Sequence, residues 1–337
     1  MPPLELSVVV PCYNEEQVID QLYKVLTTEL EALTDAFEVL LVDDGSSDST
    51  VERMRAIHEA DPRFRYFALS RNFGKESAML AGLSQAQGSA IAILDADLQH
   101  PPALLAKMLP MLEEGYDQVV ARRTRKGDRP VRSTVSRLYY RFFNRLVDVD
   151  LEDGVGDFRI LSRRAVRSLL SLGEYNRFSK GLFAWIGFST AVVDYDNVER
   201  GAGESKWRFG DLVNYGIDGI VSFNARPLRM AIHLGTAVTV LAFTYAAWVI
   251  VTYLVNGNPV AGYPTLIVAI LGFGGVQLII LGVIGEYLGR IYYETKRRPH
   301  FLLKESSNPG EIPVTVALGP EHDEFAQAEP RPPGRRS

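Results

Sequence analysis

Cysteine is nearly absent from this sequence, since Cys12 is the only one in 337 residues. No intrachain disulfide can form, which excludes a disulfide-stapled secreted domain and suits a reducing compartment. The histidines are scattered through the chain without the spacing of a zinc motif: His58, His100, His233, His300 and His322. The sequence therefore gives no support for a histidine metal centre, or for catalysis by a His–Cys or Ser–His pair.

Two glycine-rich phosphate-binding motifs are also missing. No G-x-G-x-x-G follows the first apolar run, Leu6 to Val10, which argues against a dinucleotide-binding fingerprint. No G-x-x-x-x-G-K-[ST] occurs, which argues against a P-loop. The formal net charge of −5 makes a nucleic-acid partner unexpected, so we predict none.

Charged side chains are missing between Arg229 and Glu286. This gap holds two apolar stretches, 234–255 and 265–285, and the first would be about 33 Å long as a helix at about 1.5 Å per residue. That length crosses a hydrocarbon core, and the connector NGNPVAGYP is rich in turn residues. We predict a two-helix transmembrane hairpin over 229–289; a buried hairpin of a soluble protein is the alternative.

The flanks of this hairpin are basic, while its connector carries no charge. The flanking cations are Arg226, Arg229, Arg290, Lys296, Arg297 and Arg298. The positive-inside rule then places both ends of the hairpin in the cytoplasm. We expect a multi-pass protein of the cell (inner) membrane whose main domain and both termini are cytoplasmic.

Strand and helix patterns alternate through residues 5–121. Short apolar strands between helices are typical of an α/β fold with a largely parallel sheet covered on both faces. Each of the first four strands ends in a polar segment: PCYNEE, DDGSSDST, SRNFGK and DADLQH. Ligands of such sheets bind at the carboxyl ends of the strands. The four segments therefore predict a binding site at one edge.

Asp95 and Asp97 are the sharpest feature of that edge. Residues two apart in a strand point to the same face, so we expect the two carboxylates to lie together. Two hard oxygen ligands at a strand end suit Mg²⁺ or Mn²⁺. The alternative is a capped turn in which Pro101 is the first residue of the next helix.

Several motifs in order resemble family 2 glycosyltransferases of the GT-A fold: VVVPCYNEE, VDDGSSDST, SRNFGK, DADLQHPP and ERGAGESKW. The resemblance covers roughly residues 5–300. It is closest to the branch that makes polyprenyl-phosphate sugars, which includes bactoprenol glucosyltransferases and dolichol-phosphate mannose synthases. It implies a cytoplasmic GT-A nucleotide-sugar-binding domain over 1–206, followed by an interfacial helix and the transmembrane hairpin.

The resemblance also implies roles for individual residues. The donor nucleotide sugar would be bound by Pro11, Tyr13, Glu15, Asp44, Lys75, Asp95, Ala96, Asp97, Arg200 and Lys206. Asp95 and Asp97, with an oxygen from Gln99, would hold the metal and the diphosphate, and Asp157 is a catalytic candidate that either assists the acceptor or orders a loop. Residues Asp43 and Asp44 also suit an Asx turn, and we expect Asp44 to serve both purposes.

Residues 121–147 hold nine Lys or Arg and one acid, Asp128. Nucleic acid, a solvated loop and a lipid phosphate are the possible explanations of this basic segment. Arginine suits phosphate because its planar guanidinium bonds bidentately. With the hairpin nearby we favour the lipid phosphate, and the resemblance suggests an acceptor site of Arg122, Arg125, Arg129, Arg132 and Ser133.

Together these observations predict a metal-dependent, inverting hexosyltransferase acting on polyprenyl (undecaprenyl) phosphate for cell-surface glycan modification. UDP-glucose is the expected donor. The alternatives are a processive polysaccharide synthase and a non-enzymatic nucleotide-binding membrane scaffold. We further expect an amphipathic juxtamembrane helix at 207–228, a basic juxtamembrane segment at 290–304, a disordered tail at 305–337, contacts with membrane lipids and a homo-oligomer.

Overall fold

The computed structural model describes residues 4–124, 155–175, 177–195, 226–256 and 262–308. The chain divides into two compact units. One, the sheet unit, contains the residues up to Trp207 apart from Arg145–Asp148, together with the chain from Arg298 onward. The other, the helical unit, contains Arg208–Arg297 and Arg145–Asp148.

Eight strands of the described residues form one sheet in the order β7-β5-β6-β4-β1-β2-β3-β8. Their bounds are β1 Leu6–Cys12, β2 Phe37–Asp43, β3 Phe64–Leu69, β4 Ala90–Ile93, β5 Gln118–Arg123, β6 Val155–Ser162, β7 Thr190–Tyr195 and β8 Leu303–Ser306. Strands β1 to β4 are mutually parallel, whereas β6 runs antiparallel to β4 and β5. This GT-A type α/β fold with a mostly parallel sheet confirms the predicted class of the domain.

Helices cover the sheet between the strands. Their bounds are α1 Ile19–Glu31, α2 Thr50–Ala60, α3 Lys75–Gln85, a 3₁₀ turn Pro102–Leu104, α4 Leu105–Glu113, α5 Arg163–Ser171 and α6 Ser179–Trp185. The alternation of strands and helices predicted for residues 5–121 is present, and α1 begins at Ile19, several residues after the end of β1. The amides of Glu15 and Glu16 are held by Thr50 and Asp48, so the chain there forms a loop.

The core explains why the strands have uninterrupted apolar runs. Every residue of β1 and of β2 is buried, because helices lie on both faces of the sheet. Helix α3 approaches β1 closely at Gly82, where a Cβ atom would stand 2.3 Å from Val9 Cγ1. Only glycine allows that approach, which fixes the height of α3 above the sheet and carries its first residue, Lys75, to the sheet edge.

The helical unit consists, in its described part, of α7 Arg226–Asn256 and α8 Tyr263–Thr295. By length and composition, one described segment can cross a membrane, Gly272–Thr295, with a mean hydropathy of 1.4. The apolar stretch Met230–Tyr245 of α7 is shorter. The two spans predicted at 234–255 and 265–285 therefore remain a proposal. Of the predicted interfacial helix, residues 207–225 lie outside the described residues.

The structure differs from the sequence prediction at residue 305, where a disordered tail is expected to begin. Helix α8 continues to Thr295, and residues predicted as a basic segment and a disordered tail form β8, antiparallel to β3. Phe301 is only 3% exposed, and Glu305 binds Arg55 at 2.7 Å and the Tyr66 hydroxyl at 2.8 Å. This anchoring stabilises the strand in spite of its polar sequence. Residues 309–337 lie outside the described part of the chain.

Candidate active site

The loops after β1 and β2 hold each other at the carboxyl edge of the sheet. The Asn14 amide donates to Ser46 Oγ at 2.8 Å, and the Ser47 amide donates to Asn14 Oδ1 at 2.9 Å. Asn14 has a φ of 54°, a left-handed conformation that asparagine tolerates. These bonds confirm that the first two polar segments converge, and they place Pro11, Tyr13 and Glu15 beside Asp43 and Asp44.

The sequence predicts that Asp44 both binds the nucleotide and forms an Asx turn, but in the structure the turn is formed by Asp43. Asp43 forms the Asx turn, since its carboxylate accepts hydrogen bonds from the amides of Gly45 and Ser46. Asp44 instead accepts from the amides of Phe73 and Gly74, at 2.7 and 3.0 Å. The expectation of an Asx turn at Asp44 is therefore wrong. Burial raises the pKa of both carboxyls, and these hydrogen bonds oppose the rise.

Three charged side chains meet at the centre of the edge, and we call them the lysine–carboxylate cluster: Lys75, Asp95 and Asp157. Lys75 Nζ lies 2.6 Å from Asp95 Oδ1 and 2.5 Å from Asp157 Oδ2. Burial disfavours the ammonium ion, but the two carboxylates more than offset this and raise the pKa of Lys75. Burial alone would raise the pKa of Asp157, yet Lys75 holds that pKa down to about 2. Lys75 and Asp157 are therefore both ionised at neutral pH.

The two aspartates of the D-x-D motif do not share a strand face, contrary to our prediction. Strand β4 ends at Ile93, so both follow the strand in a turn where Leu98 has a φ of 55°. Asp95 is directed to Lys75, whereas Asp97 accepts hydrogen bonds from the backbone amide and the side-chain amide of Gln99, at 3.1 and 2.6 Å. Between them Ala96 is buried, only 4% exposed. Pro101 precedes the 3₁₀ turn and is not its first residue.

His100 belongs to the site, although it is not among the residues predicted from the sequence. Its Nε2 lies 3.9 Å from Asp95 Oδ2, and its Nδ1 is hydrogen-bonded to the Tyr195 hydroxyl at 2.5 Å. The ring also packs against Phe158, with centroids 5.6 Å apart. Burial lowers the pKa of His100, while Asp95 opposes that effect. The sequence signal that points to His100 is its position, three residues after Asp97.

Two arginines near the edge are already engaged. Arg122, predicted to bind the acceptor, forms a bidentate ion pair with Asp194 at 2.7 and 3.0 Å. Arg159 is 3% exposed, donates to Gln118 and to the Gly156 carbonyl, and lies over the Phe183 ring. Arg159 therefore supports β6, which carries Asp157. The other predicted residues lie outside the described part of the chain: Arg125, Arg129, Arg132, Ser133, Arg200 and Lys206.

The donor atoms of the edge fit a hard divalent cation. No group of three or more His, Cys, Asp or Glu side chains that could hold a metal occurs in the described residues. Mg²⁺, however, is usually bound by one or two carboxylates together with substrate phosphates, and Asp95 and Asp97 supply two carboxylates within three residues. Because Lys75 already contacts Asp95, an incoming metal ion competes with the Lys75 ammonium group for the Asp95 carboxylate.

Comparison with known proteins identifies the family of this chain. Residues 7–170 match the model for glycosyl transferase family 2, and residues 226–291 match the GtrB C-terminal hairpin. The chain is 50% identical over 314 residues to CsbB of Bacillus subtilis (strain 168), covering 93% of this chain and 95% of CsbB. It is 41% identical over 304 residues to the SfII prophage-derived bactoprenol glucosyl transferase of Shigella flexneri, covering 90% of this chain and 98% of the relative.

Solved structures are more distant. The mannosyltransferase PcManGT of Pyrobaculum calidifontis is 16% identical, with a TM-score of 0.45, and the match covers 86% of this chain and 89% of that one. This likeness is too weak to bear on activity. The sequence relatives are much closer and extend through both matched regions, with the lysine–carboxylate cluster inside the first. The chain belongs to glycosyl transferase family 2 and is a glycosyltransferase.

Proposed function

We propose that this protein transfers a hexose from a nucleotide sugar, with UDP-glucose as the donor, to polyprenyl phosphate at the cytoplasmic face of the membrane. One observation carries the proposal. A bactoprenol glucosyl transferase resembles this chain over 90% of its length, through both the cluster and the C-terminal hairpin. A likeness confined to the sheet unit would support sugar transfer but no particular acceptor.

On the donor side, the proposal assigns the nucleotide to the loops after β1 and β2, with Pro11, Tyr13, Glu15 and Asp44. Asp95 and Asp97, with Gln99, would hold Mg²⁺ or Mn²⁺ against the diphosphate. The ion would act as a Lewis acid for the negative charge that develops on the leaving group. Lys75 adds a fixed positive charge at the same edge.

Asp157 orients Lys75 and does not need to act as a base. The second pKa of a phosphate monoester is near ~6, so the acceptor oxygen is largely ionised at neutral pH. Asp157 itself has a pKa of about 2 and is a weak proton acceptor. Its carboxylate holds the Lys75 ammonium at 2.5 Å, which keeps that charge directed toward the diphosphate. Attack from the face opposite the leaving group would invert the sugar's anomeric configuration.

On the acceptor side, the basic segment is the proposed site of the lipid phosphate. Arg125, Arg129, Arg132 and Ser133 carry this role, whereas Arg122 could join them only by leaving its bidentate partner Asp194. Arg200 and Lys206 are proposed to close over the donor. The chain around Gly272–Thr295 would anchor the enzyme as one arm of a two-span hairpin with both termini in the cytoplasm.

Purified protein with polyprenyl phosphate, Mg²⁺ or Mn²⁺ and a panel of labelled donors tests the proposal. Label from UDP-glucose should enter the organic phase as a lipid carrying a single sugar. Label in a polymer would instead indicate a processive synthase, and no incorporation from any donor would refute polyprenyl phosphate as the acceptor. Incorporation from GDP-mannose alone would refute the choice of UDP-glucose.

A further inference from the structure

The first turn of α3 is fixed on both sides of Lys75. Before it, the amides of Phe73 and Gly74 donate to the carboxylate of Asp44, which is only 3% exposed. After it, the carboxyl of Glu76 accepts a hydrogen bond from the hydroxyl of Ser179, the first residue of α6. Lys75 is therefore held between two anchors, of which the Asp44 contact belongs to the donor loops already described.

We infer that Glu76 is a positioning residue: its inward carboxyl, bound to Ser179, fixes the start of α3 so that Lys75 stays between Asp95 and Asp157. The inference rests on the proposed function, because it concerns the residue that meets the donor diphosphate. Glu76 itself does not touch the reacting groups and acts through Lys75. The pocket beside Glu76 is lined mainly by apolar side chains, among them Met79, Leu80, Leu182 and Phe183, and also by Arg177.

The charge state of Glu76 decides how well it performs this task. Burial first, and then the negative charge of Asp157, raise the pKa of Glu76 to about 8, although Lys75, Ser179 and Arg177 act in the opposite direction. The carboxyl is therefore mostly neutral at pH 7 and adds no third negative charge around Lys75. Above pH 8 Glu76 is ionised. The single ammonium group of Lys75 then interacts with three carboxylates, those of Asp95, Asp157 and Glu76.

This ionisation gives two measurable consequences. Transfer should fall as the pH rises through about 8, because Lys75 is drawn from the diphosphate. Stability should change as well. The pKa of Glu76 is higher in the folded protein than its ordinary value of 4.5, so folded protein loses stability as pH rises from 4.5 to about 8.

The test compares wild type with Glu76→Gln, a neutral and nearly isosteric variant, and with Glu113→Gln at the exposed end of α4 as control. Wild type and the control should lose kcat/KM by up to about tenfold per pH unit above pH 8. Glu76→Gln should be a few-fold slower at pH 7 and lack this alkaline limb. An alkaline limb that persists unchanged in Glu76→Gln would overturn the inference.

Thermal unfolding separates failure of this inference from failure of the proposed function. Between pH 5 and pH 8 the Tm of wild type should fall relative to that of Glu76→Gln, whether or not any sugar is transferred. Parallel Tm curves would overturn the inference even in an active enzyme.

Should Glu76→Gln not fold, Ser179→Ala replaces it. Loss of a hydrogen bond to the carboxylate should move the alkaline midpoint upward, and an unmoved midpoint would count against Glu76.

Discussion

Lys75→Met removes the ammonium group of the lysine–carboxylate cluster and keeps a side chain of similar length. The ammonium contacts Asp95 at 2.6 Å and Asp157 at 2.5 Å. A hydrogen bond to a charged group contributes ~1.5–3 kcal/mol, and the Lys75 side chain is 43% exposed, so water screens part of the effect. Losing a positive charge aimed at the leaving diphosphate should cost roughly 3–4 kcal/mol of transition-state stabilisation.

That loss corresponds to roughly a hundred- to thousandfold fall in kcat/KM. Initial rates of label transfer from UDP-glucose to polyprenyl phosphate measure it, with Lys107→Met on the exposed face of α4 as the matched control. The control should stay within about twofold of wild type. A Lys75→Met enzyme that is folded and within about threefold of wild type would refute the assigned role of Lys75.

The same variant changes the acid behaviour of Asp157. In the wild type, Lys75 holds the pKa of Asp157 at about 2, so its stabilising contribution is present above its ordinary value of 3.8 and lost as pH falls toward 2. Without Lys75, burial raises that pKa. Acid unfolding of Lys75→Met should therefore begin at higher pH than that of wild type, and coincident acid unfolding curves would contradict the ion pair.

Three further predictions concern the metal site, the acceptor and the C-terminal strand. Asp97→Asn should fold normally but lose most metal-dependent transfer, and turnover within about twofold of wild type would exclude Asp97 as a ligand. Arg129→Ala should weaken the apparent affinity for polyprenyl phosphate roughly ten- to hundredfold, with little change in that for UDP-glucose. Arg129→Lys should restore only part of the lost affinity, and equal losses for both substrates would place Arg129 in the donor site. Phe301→Ala should lower the free energy of unfolding by ~3–5 kcal/mol in a denaturant titration. The control Leu302→Ala, whose side chain is 38% exposed in the wild type, should lower it by about 1 kcal/mol or less. Similar small losses for both variants would show that β8 is not anchored by Phe301.

The sheet could be predicted because its signal is local. Runs such as those of β1 and β2 are apolar without interruption, which is typical of strands buried on both faces, and the polar segments after them mark the ligand edge. The topology predicts that these segments meet, and the contacts of Asn14 with Ser46 and of Lys75 with Asp95 are where they do so.

Other features depended on contacts between distant residues. The pair of Lys75 with Asp157 spans 82 positions, and β8 pairs with β3 across more than 230, so no local pattern reveals either. His100 was passed over because isolated histidines suggest no motif, while its partner Tyr195 lies 95 positions away. The prediction that Asp95 and Asp97 share a strand face is wrong because it extends β4 beyond Ile93. Residue propensities do not mark the end of the strand there.

The central claim is that one hexose is joined to polyprenyl phosphate by this chain, and the intact mass of the lipid product tests it most directly. Purified wild type and Asp95→Asn would each be incubated with UDP-glucose, undecaprenyl phosphate and Mn²⁺, and the extracted lipid analysed by mass spectrometry. We predict a single-hexose adduct with wild type and unmodified lipid with Asp95→Asn. Equal adduct from both proteins, a ladder of hexoses, or unmodified lipid with wild type would contradict the account.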